Sequence, residues 1–439
     1  MGASGSTGVW LIGARGSVAT TAIAGCAAMS AGLHPPTGLV TETPPFSGTG
    51  LPTLSSLVFG GHDTMECPLP KRAEHLAAGG VLPHGLPAAV HAELAAADAE
   101  IRPGGPLPGD SRTDDELITA FAADIRDFAH RHRLARVVVI NVASTEPAVA
   151  LGGAETVAGG SAVGSVGVGP ASAERPRASA ESAPASAEAP ATTTVTSMAT
   201  FPATSTSSAT STSPVTSTPD DRLPPSSLYA AAALRAGAAY VNFTPSTGMH
   251  HPALTDLAAT SRLPFAGRDG KTGQTLLRSV LGPMFAQRAL AVRAWSGTNL
   301  LGGGDGAALA DPAAAAAKNA GKERVLADTL GTVPEGEVHI DDVPALGDWK
   351  TAWDHIAFDG FLGTRMTLQT TWQGCDSALA APLILDLARL LARAHEAGLD
   401  GPRPELAFYF KDPDPGASSA LPDQHVALLA FADRLRDTL

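Results

Sequence analysis

Three short apolar runs, each ending abruptly at glycine or polar residues, constrain the fold of this chain more than any other feature. They are residues 9–12, 137–140 and 239–243, and they stop at Gly13, at Asn141 and at a Thr-Pro-Ser turn. A stretch of small and apolar residues suited to a helix follows the first run, over residues 17–29. Strands that alternate with helices predict a parallel α/β sheet, and ligands bind such sheets outside the carboxyl ends of the strands.

The composition divides the chain into three parts. The 439 residues are enough for two or three domains. Residues 151–221 consist mainly of Ala, Ser, Thr, Pro and Gly, a mixture that cannot bury enough surface to offset its ordering entropy. We predict a Rossmann-like sheet domain over residues 1–266 that carries this tract as a disordered insertion, a second domain over 267–374, and a C-terminal segment over 375–439 that returns to the first domain.

The C-terminal segment begins with a strongly helical pattern. Apolar residues at helical spacing share one face, and three charged residues lie off it. The apolar residues are Leu379, Leu383, Leu387, Leu390 and Ala394, and the charged residues are Asp386, Arg389 and Arg393. We expect this helix to pack against the first domain.

Charge and cysteine content exclude several function classes. Lys and Arg number 30 against 43 Asp and Glu, a net charge of −13, so no nucleic-acid partner is expected. No apolar run reaches the length of about 18 residues that a membrane span requires, and the predicted location is cytoplasmic. Three cysteines, Cys26, Cys67 and Cys375, form no disulfide framework, and no Cys/His cluster predicts a metal site.

Two glycine-containing segments suggest phosphate chemistry. The turn Gly13-Ala14-Arg15-Gly16-Ser17-Val18 stands between a strand and a helix, as in dinucleotide sites. It lacks the full G-x-G-x-x-G spacing and an evident acidic residue for the ribose, so a plain strand-to-helix turn explains it equally well. Residues 267–275 (GRDGKTGQT) lack the spacing of a Walker loop, but their carboxylate, ammonium, hydroxyl and amide groups suit a phosphorylated polyol.

Four further lysines are candidates when taken alone. Asp311-Pro312 predicts a helix start, and that helix carries Lys318 and Lys322 on one face. Like charges at this spacing repel unless an anion compensates them, although a solvated helix end is the simpler interpretation. Lys350 and Lys411 stand in apolar or turn-rich settings, where a surface position is the commoner outcome.

Ordered sequence segments resemble the signatures of the myo-inositol-1-phosphate synthase family. They are GRDGKTGQT (267–275), WSGTNLLGGGDG (295–306), KNAGKERV (318–325), VPALGDWKTAWD (343–354), CDSALAAPLILDL (375–387) and LAFYFKDP (406–413). Upstream, LVFGGHD (57–63), NVASTEP (141–147) and VNFTPSTG (241–248) are also similar to family segments. The resemblance covers nearly the whole chain outside residues 151–221.

This resemblance implies a fold, a cofactor and a set of site residues. The implied fold is a Rossmann-like doubly wound parallel sheet domain with an inserted α+β domain for catalysis and oligomerisation, in a homotetramer. The implied catalytic residues are Lys271, Lys318, Lys322, Lys350 and Lys411, with Asp269 and Asp348 as acidic partners. The implied surroundings of NAD are Gly13, Ala14, Arg15, Gly16, Ser17, Val18, Asn141, Ala143, Ser144, Thr145, Thr244 and Asp305.

The family reaction sets an expectation for mechanism. Glucose 6-phosphate is oxidised at C5 by NAD, enolised at C6, closed by attack of C6 on C1, and reduced again at C5, giving inositol 1-phosphate with no net redox change. Negative charge develops on oxygen beside a phosphate, so several lysines in a water-poor site are suitable stabilisers. The resemblance also allows a divalent or monovalent cation, held by phosphate and carboxylate oxygens.

Departures from the family pattern keep alternatives open. Gly303 stands where the family has Asn, Trp349 where it has Ser, and Arg268 where it has Asp, so the shape of the substrate pocket is in question. One alternative is cyclisation of fructose 6-phosphate to a five-membered cyclitol phosphate. Two others are a catalytically inactive dinucleotide-binding regulator and a simple NAD-dependent dehydrogenase. The family's commonest activity favours glucose 6-phosphate.

Overall fold

The computed structural model describes residues 5–144, 146, 222–302, 324–414 and 416–439. These residues belong to one compact unit. The tract 151–221, predicted to be a disordered insertion, lies outside the described residues, as does the helix predicted to begin at Asp311-Pro312.

Seven parallel strands form the larger sheet, here called sheet one. The strands are β1 (Thr7–Ile12), β2 (Leu57–Asp63), β3 (Ile101–Pro103), β4 (Arg136–Asn141), β5 (Ala239–Asn242), β6 (Pro264–Gly267) and β11 (Gly401–Pro402). Their order is β11-β6-β5-β4-β1-β2-β3, and every pairing is parallel. This is the order of a doubly wound dinucleotide-binding sheet, so the predicted fold class and the three predicted strands are confirmed.

Helices cover both faces of sheet one. They are α1 (Ser17–Ser30), α2 (Leu69–Ala78), α3 (Leu86–Ala89), α4 (His91–Asp98), α5 (Asp114–Arg131), α6 (Pro225–Arg235), α7 (Thr255–Thr260), α8 (Gly273–Gln287), α9 (Asp376–Glu396) and α10 (Leu421–Arg436), of which α8 covers the smaller sheet. Val9 and Leu11 of β1 pack with α1 and α9, while Trp10 and Ile12 pack with α5 and α6. Both faces are therefore buried, which explains the unbroken apolar runs in the sequence.

The charged residues of α9 do not face solvent. Asp386 is fully buried and accepts hydrogen bonds from the backbone N–H groups of Val40 and Thr41, at 2.9 and 3.2 Å. Burial raises the pKa of Asp386 to about 6. Arg389 donates to the carbonyl oxygen of Pro52 at 2.7 Å and is also buried. These bonds tie α9 to the segment between α1 and β2, which the periodicity of the helix did not indicate.

Four strands form a second, mixed sheet, here called sheet two. The strands are β7 (Ala291–Leu301), β8 (Val338–Asp342), β9 (Trp349–Asp359) and β10 (Arg365–Cys375), in the order β10-β9-β7-β8. Phe285 of α8 packs with Trp295 and Ile356 on one face. The side chains of Trp353 and Met366 are each 38% exposed, so sheet two is covered far less evenly than sheet one.

None of the helices that the structure describes is long and apolar enough to cross a membrane.

Candidate functional site

The turn after β1 is shaped to receive an anion. Gly13 and Ala14 donate their N–H groups to the carbonyl oxygen of His62, at 2.9 and 3.2 Å, which holds the turn against β2. Gly13 has φ +84°, and a Cβ there would lie 2.7 Å from the Cα of Ala143, so only glycine fits. Helix α1 then begins at Ser17 with no acidic residue in its first turn. The positive end of its dipole therefore remains available to a phosphate.

An acidic residue that the sequence reasoning missed lies beside this turn. Asp63 ends β2, and its carboxylate accepts from the backbone N–H groups of Arg15 at 2.6 Å and Met65 at 2.7 Å. This is where dinucleotide-binding sheets place the carboxylate that binds a ribose. Residues 31–56, which contain three short 3₁₀ turns, separate α1 from β2, so the carboxylate follows the glycine turn at an unusually long distance in sequence.

A cavity of about 590 Å³ opens at the carboxyl ends of β1, β2 and β4. Among the residues predicted for the cofactor, those lining it are Gly13, Gly16, Ser17, Val18, Asn141, Ala143 and Ser144. Ala14 is buried behind the turn, and the side chain of Arg15 turns away to Asp98 at 2.8 Å. Thr145 and Asp305 lie outside the described residues.

A smaller cavity of about 120 Å³ continues from the first. The two share Val18, Val142, Ala143 and Asp376, and the smaller one adds Thr244, Asp269 and Lys411. Asn141 donates to Thr244 Oγ1 at 3.3 Å, so the cofactor edge of sheet one and the predicted catalytic residues share one cleft.

Two lysine–carboxylate pairs contribute to this cleft: Asp269, Lys411 and Asp376 line it, and Lys350 is linked to it through Asp376. Lys350 Nζ lies 2.9 Å from Asp376 Oδ2, and Lys411 Nζ lies 2.9 Å from Asp269 Oδ1. A Cβ on Gly273, the first residue of α8, would lie 3.4 Å from Lys350 Nζ. The N-terminus of α8 and the ammonium of Lys350 thus add positive potential at the same place, which suits an anionic substrate.

Asp348 joins the two sheets at the mouth of the cleft. Its carboxylate accepts from Ser17 Oγ at 2.7 Å, and Arg72 Nη2 donates to the same hydroxyl at 2.6 Å. Because Ser17 begins α1 and Asp348 precedes β9, this contact sets the turn after β1 directly against the strand that carries Lys350.

Lys271 does not join the other lysines. Its side chain is only 4% exposed, and Nζ donates to Gln424 Oε1 on α10. Burial lowers the pKa of Lys271 to about 7. Lys271 lines neither cavity of the cleft. Lys318 and Lys322 lie outside the described residues. Of the remaining predicted catalytic set, Asp348 lines the larger cavity, Asp269 and Lys411 line the smaller one, and Lys350 pairs with Asp376, which lines both.

Two of the positions at which the sequence departs from the family pattern, Trp349 and Arg268, lie within the described residues, and neither fills the cleft. Trp349 is 42% exposed, and its Nε1 donates to the carbonyl oxygen of Gly79 at 2.8 Å, so its bulk lies on α2 and not among the cavity residues. Arg268 pairs with Asp412 at 2.7 Å, which balances the charge introduced at that position. Gly303 lies outside the described residues.

His62 is a further cavity residue that sequence reasoning did not identify. Its Nδ1 accepts from Trp10 Nε1 at 3.0 Å, and its Nε2 lies 3.1 Å from Asp124 Oδ2. Because an indole N–H only donates, Nδ1 must carry a lone pair, and burial lowers the pKa of His62. His62 is therefore neutral, with its proton on Nε2 directed at Asp124.

Other unpredicted residues complete the cleft. Asp376 is the partner of Lys350, and its position directly after β10, at the start of α9, is the signal that could have identified it. Glu146 lines the larger cavity, and its carboxylate accepts from Ser226 Oγ at 2.8 Å, while burial raises its pKa. Within the described parts of the chain, no three His, Cys, Asp or Glu side chains are grouped as metal ligands.

Family models and relatives agree on what this chain is similar to. Two models, both described as myo-inositol-1-phosphate synthase, match residues 7–158, as an NAD-binding domain, and residues 273–377. Inositol-3-phosphate synthase 1 of Bacteroides thetaiotaomicron is 30% identical over 94% of this chain and 90% of its own length. Inositol-3-phosphate synthase of Trypanosoma brucei brucei is 35% identical, but over 40% of this chain and 35% of its own.

Solved structures show the same fold. The crystal structure of inositol-3-phosphate synthase from Caenorhabditis elegans aligns with a TM-score of 0.75 at 21% identity, covering 99% of this chain and 86% of that one. A myo-inositol-1-phosphate synthase-related protein from Thermotoga maritima aligns with a TM-score of 0.67 at 21% identity, covering 98% of each chain.

Proposed function

Because the chain belongs to the myo-inositol-1-phosphate synthase family and has its NAD-binding domain, we propose that it cyclises glucose 6-phosphate to 1L-myo-inositol 1-phosphate. The proposed steps are oxidation at C5, enolisation at C6, aldol closure between C6 and C1, and reduction at C5. The enzyme would be an isomerase with no net redox change. The observation that carries the proposal is a pair of lysine–carboxylate contacts, Lys350–Asp376 and Lys411–Asp269, whose carboxylates line a cleft continuous with the dinucleotide edge of sheet one.

The residues at that edge fit NAD. A Cβ on Gly13 would fill the space beside Ala143, Gly16 and Ser17 at the N-terminus of α1 line the larger cavity, and Asp63 ends β2, where a carboxylate binds ribose hydroxyls. Gly13 and Ser17 would face the pyrophosphate, and Asn141 and Ala143 would flank the path toward the lysines. Bound NAD would supply the oxidation of C5 at the start and its reduction at the end.

The lysines supply the electrostatic part of the proposal. An ammonium has three donors, and only one is needed to hold Asp376, so Lys350 can also donate to an oxyanion at C5 or C1. Lys411, held by Asp269, and the N-terminus of α8 are assigned to the phosphate or to developing oxyanions. Lys318 and Lys322 are proposed to complete this set. Any divalent or monovalent cation would bind through substrate phosphate and carboxylate oxygens.

A product assay tests the reaction. The purified protein is incubated with a catalytic amount of NAD and with glucose 6-phosphate or fructose 6-phosphate separately, and the product is dephosphorylated and identified. We expect inositol from glucose 6-phosphate and no net NADH. A five-membered cyclitol from fructose 6-phosphate would transfer the assignment to the alternative reaction. Net NADH would indicate a dehydrogenase, and no product from either sugar would leave a dinucleotide-binding regulator.

We also propose a cytoplasmic homotetramer that uses the less covered face of sheet two. Trp353 is partly exposed there, and Phe361 and Leu362 at the β9–β10 turn are each 87% exposed. Exposed apolar groups of this kind favour contact with another copy. Light scattering after size-exclusion chromatography should give four times the chain mass, and Phe361→Lys combined with Leu362→Lys should lower it. A monomeric wild type would contradict the proposal.

A further inference from the structure

The glycine turn after β1 spends its backbone donors within the protein. Gly13 and Ala14 donate their N–H groups to a carbonyl oxygen of β2, at 2.9 and 3.2 Å. Arg15 donates its N–H group to the carboxylate that ends β2, and Gly16 donates its own back to Gly13. Turns of this kind usually hold a dinucleotide pyrophosphate through such groups. Here a pyrophosphate would depend on the N–H groups in the first turn of α1.

The hydroxyl group at the start of α1 is also committed. Ser17 Oγ donates to Asp348 Oδ1 at 2.7 Å and accepts from Arg72 Nη2 at 2.6 Å. A serine hydroxyl has a single proton to donate, and in this structure Asp348 receives it. Ser17 therefore has no side-chain donor left for a pyrophosphate, and an anion bound here needs another donor.

Arg72 is a cation that the same cavity offers. It is the fourth residue of α2 and lines the larger cavity together with Gly13, Gly16 and Ser17. Its side chain is 24% exposed. Because Arg72 lines the cavity and also keeps accessible surface, a ligand in the cavity can reach it. Arg72 belongs to none of the segments that resemble the family, so the resemblance assigns it no role.

The guanidinium of Arg72 has donors to spare. Its only hydrogen bond to the described residues is the one to Ser17, and Nε has no acceptor among them. Nη2 lies 3.8 Å from Asp348 Oδ1, beyond hydrogen-bonding distance. A guanidinium carries several N–H donors in a planar fork, which suits phosphate oxygens. Its place beside the first residue of α1 therefore favours a phosphate-containing ligand.

We propose that Arg72 binds the pyrophosphate of NAD. It supplies the charge-assisted donors that the turn after β1 no longer has free, next to the N-terminus of α1. The inference rests on the proposed function for the identity of the cofactor. The phosphate of the substrate is the other possible source of this anion. Its proposed donors, Lys411 and the N-terminus of α8, belong to the smaller cavity, which Arg72 does not line.

The test measures the Kd of NAD by calorimetry in Arg72→Met. Methionine keeps an unbranched side chain on α2 but removes the charge and the donors. We expect the Kd to rise between about tenfold and about a hundredfold, the worth of hydrogen bonds to a charged group. Arg72→Lys keeps the charge and loses the fork, so its loss should be smaller. Wild-type NAD affinity in Arg72→Met would overturn the inference.

Arg126→Met is the matched control. Arg126 is exposed on α5, donates to the carbonyl oxygen of Arg235 at 3.2 Å, and does not line the cavity. The substitution changes the net charge by the same amount as Arg72→Met, so any long-range electrostatic effect is matched. Its Kd for NAD should equal that of the wild type. Equal losses in the two variants would reduce the effect to net charge and reject the contact.

Two further ligands identify which group Arg72 binds. Adenosine lacks the pyrophosphate, so its Kd should be the same in Arg72→Met and the wild type. A loss for adenosine equal to that for NAD would show a general change in the cavity and contradict the inference. Glucitol 6-phosphate, measured with saturating NAD, should also bind both proteins equally. A loss for glucitol 6-phosphate with unchanged NAD affinity would assign Arg72 to the substrate phosphate instead.

A double-mutant cycle with Ser17→Ala separates direct binding from structural support. If Arg72 only holds Ser17 and Asp348 in place, Arg72→Met should cause no further loss of NAD affinity in the Ser17→Ala protein. Direct binding predicts a further loss of at least about tenfold, and its absence would exclude the contact. If Arg72→Met does not fold by circular dichroism, Arg72→Gln replaces it in every comparison under the same criteria.

The readouts distinguish this inference from the proposed reaction. Wild-type protein that binds NAD but turns over neither hexose phosphate would reject the cyclisation, while the binding comparison still decides the role of Arg72. Wild-type turnover with unchanged NAD affinity in Arg72→Met would reject the role of Arg72 alone. Wild-type protein that does not bind NAD would overturn both.

Discussion

The two sheets contribute to the cleft in different ways. Sheet one is buried on both faces and presents its strand ends, so its contribution is backbone N–H groups, the N-terminus of α1 and the carboxylate of Asp63. Sheet two is only partly covered by helices and contributes charged side chains. Lys350 lies within β9, and Asp348 lies in the turn that precedes β9. The difference indicates a division of labour, in which a rigid edge holds the cofactor and a set of paired charges is proposed to act on the substrate.

Of the variants considered, Lys350→Ala should have the largest effect on kcat, and it tests the role proposed for sheet two. Removing an ammonium that stabilises charge only in the transition state should lower kcat by about 10³-fold, a loss typical of an electrostatic catalytic group. The Kd of NAD, measured by calorimetry, should change little because the cofactor edge belongs to sheet one. Lys71→Ala is the control, since Lys71 is exposed on α2 and pairs only with Glu74 among the described residues. Equal losses in kcat and NAD affinity would contradict the division of labour.

Asp63→Asn should produce the reverse pattern with a smaller effect. The carboxylate is expected to bind ribose hydroxyls and also holds the N–H groups of Arg15 and Met65. Halving its accepting capacity should weaken NAD about tenfold, near 1.4 kcal/mol. The kcat at saturating NAD should remain close to that of the wild type. Asp127→Asn on the exposed face of α5 provides the control. Equal NAD affinities in the Asp63 and Asp127 variants would show that Asp63 does not bind the cofactor.

The same contrast explains which parts the sequence predicted. Strands β1, β4 and β5 are buried on both faces and read as unbroken apolar runs, so composition alone located them. The strands of sheet two alternate polar and apolar residues within a segment rich in Gly, Lys and Asp, and their pairing is not evident from local pattern. Gly13 was identified by its turn, but Asp63 was not, because residues 31–56 separate it from α1.

The site residues divide in a similar manner. The family resemblance directed attention to Lys350 and Lys411; Lys411 lines the cleft, and Lys350 pairs with Asp376, which also lines it. The family-like segments 375–387, 57–63 and 141–147 contain Asp376, His62 and Glu146, but the resemblance assigned these residues no role, and the contacts that place them at the cleft follow only from the tertiary structure. The burial of Lys271 against Gln424 likewise depends on α10, whose packing no local motif specifies.

Lys271→Met tests whether the buried Lys271 affects stability and not catalysis, in contrast to Lys350 and Lys411. Burial lowers the pKa of Lys271 from 10.5 to about 7, so the folded protein binds fewer protons than the unfolded chain between these values. The free energy of unfolding should therefore rise with pH from about 7 toward 10.5 as this destabilising charge is relieved. In Lys271→Met that part of the rise should disappear, as measured by urea unfolding at several pH values.

Turnover tests the same variant independently. Because the Lys271 ammonium is buried against Gln424 of α10, whereas Lys350 pairs with the cavity residue Asp376, kcat in Lys271→Met should stay within about threefold of the wild type, less than 1 kcal/mol in barrier height. A loss approaching that of Lys350→Ala would place Lys271 among the catalytic lysines after all. An unchanged pH dependence of unfolding would show that its charge is compensated in the folded state.

Deleting residues 151–221 should have the smallest effect on activity, and it tests whether sheet one depends on that tract. The flanking segments are already held together: Ser226 Oγ donates to Glu146 at 2.8 Å, and the N–H of Leu223 donates to Asp114 at 2.8 Å. Replacing the 71 residues with about nine of Gly and Ser shortens the loop by three doublings. Loop-closure entropy then predicts a gain of about 2 kcal/mol in unfolding free energy, and less if the linker is strained.

The kcat and the Kd of NAD should not change, and a second, longer linker controls for strain at Glu146, which lines the cofactor cavity. A loss of more than about 2 kcal/mol with both linkers, large for a surface change, would mean that the tract packs on the fold and that its composition misled the prediction.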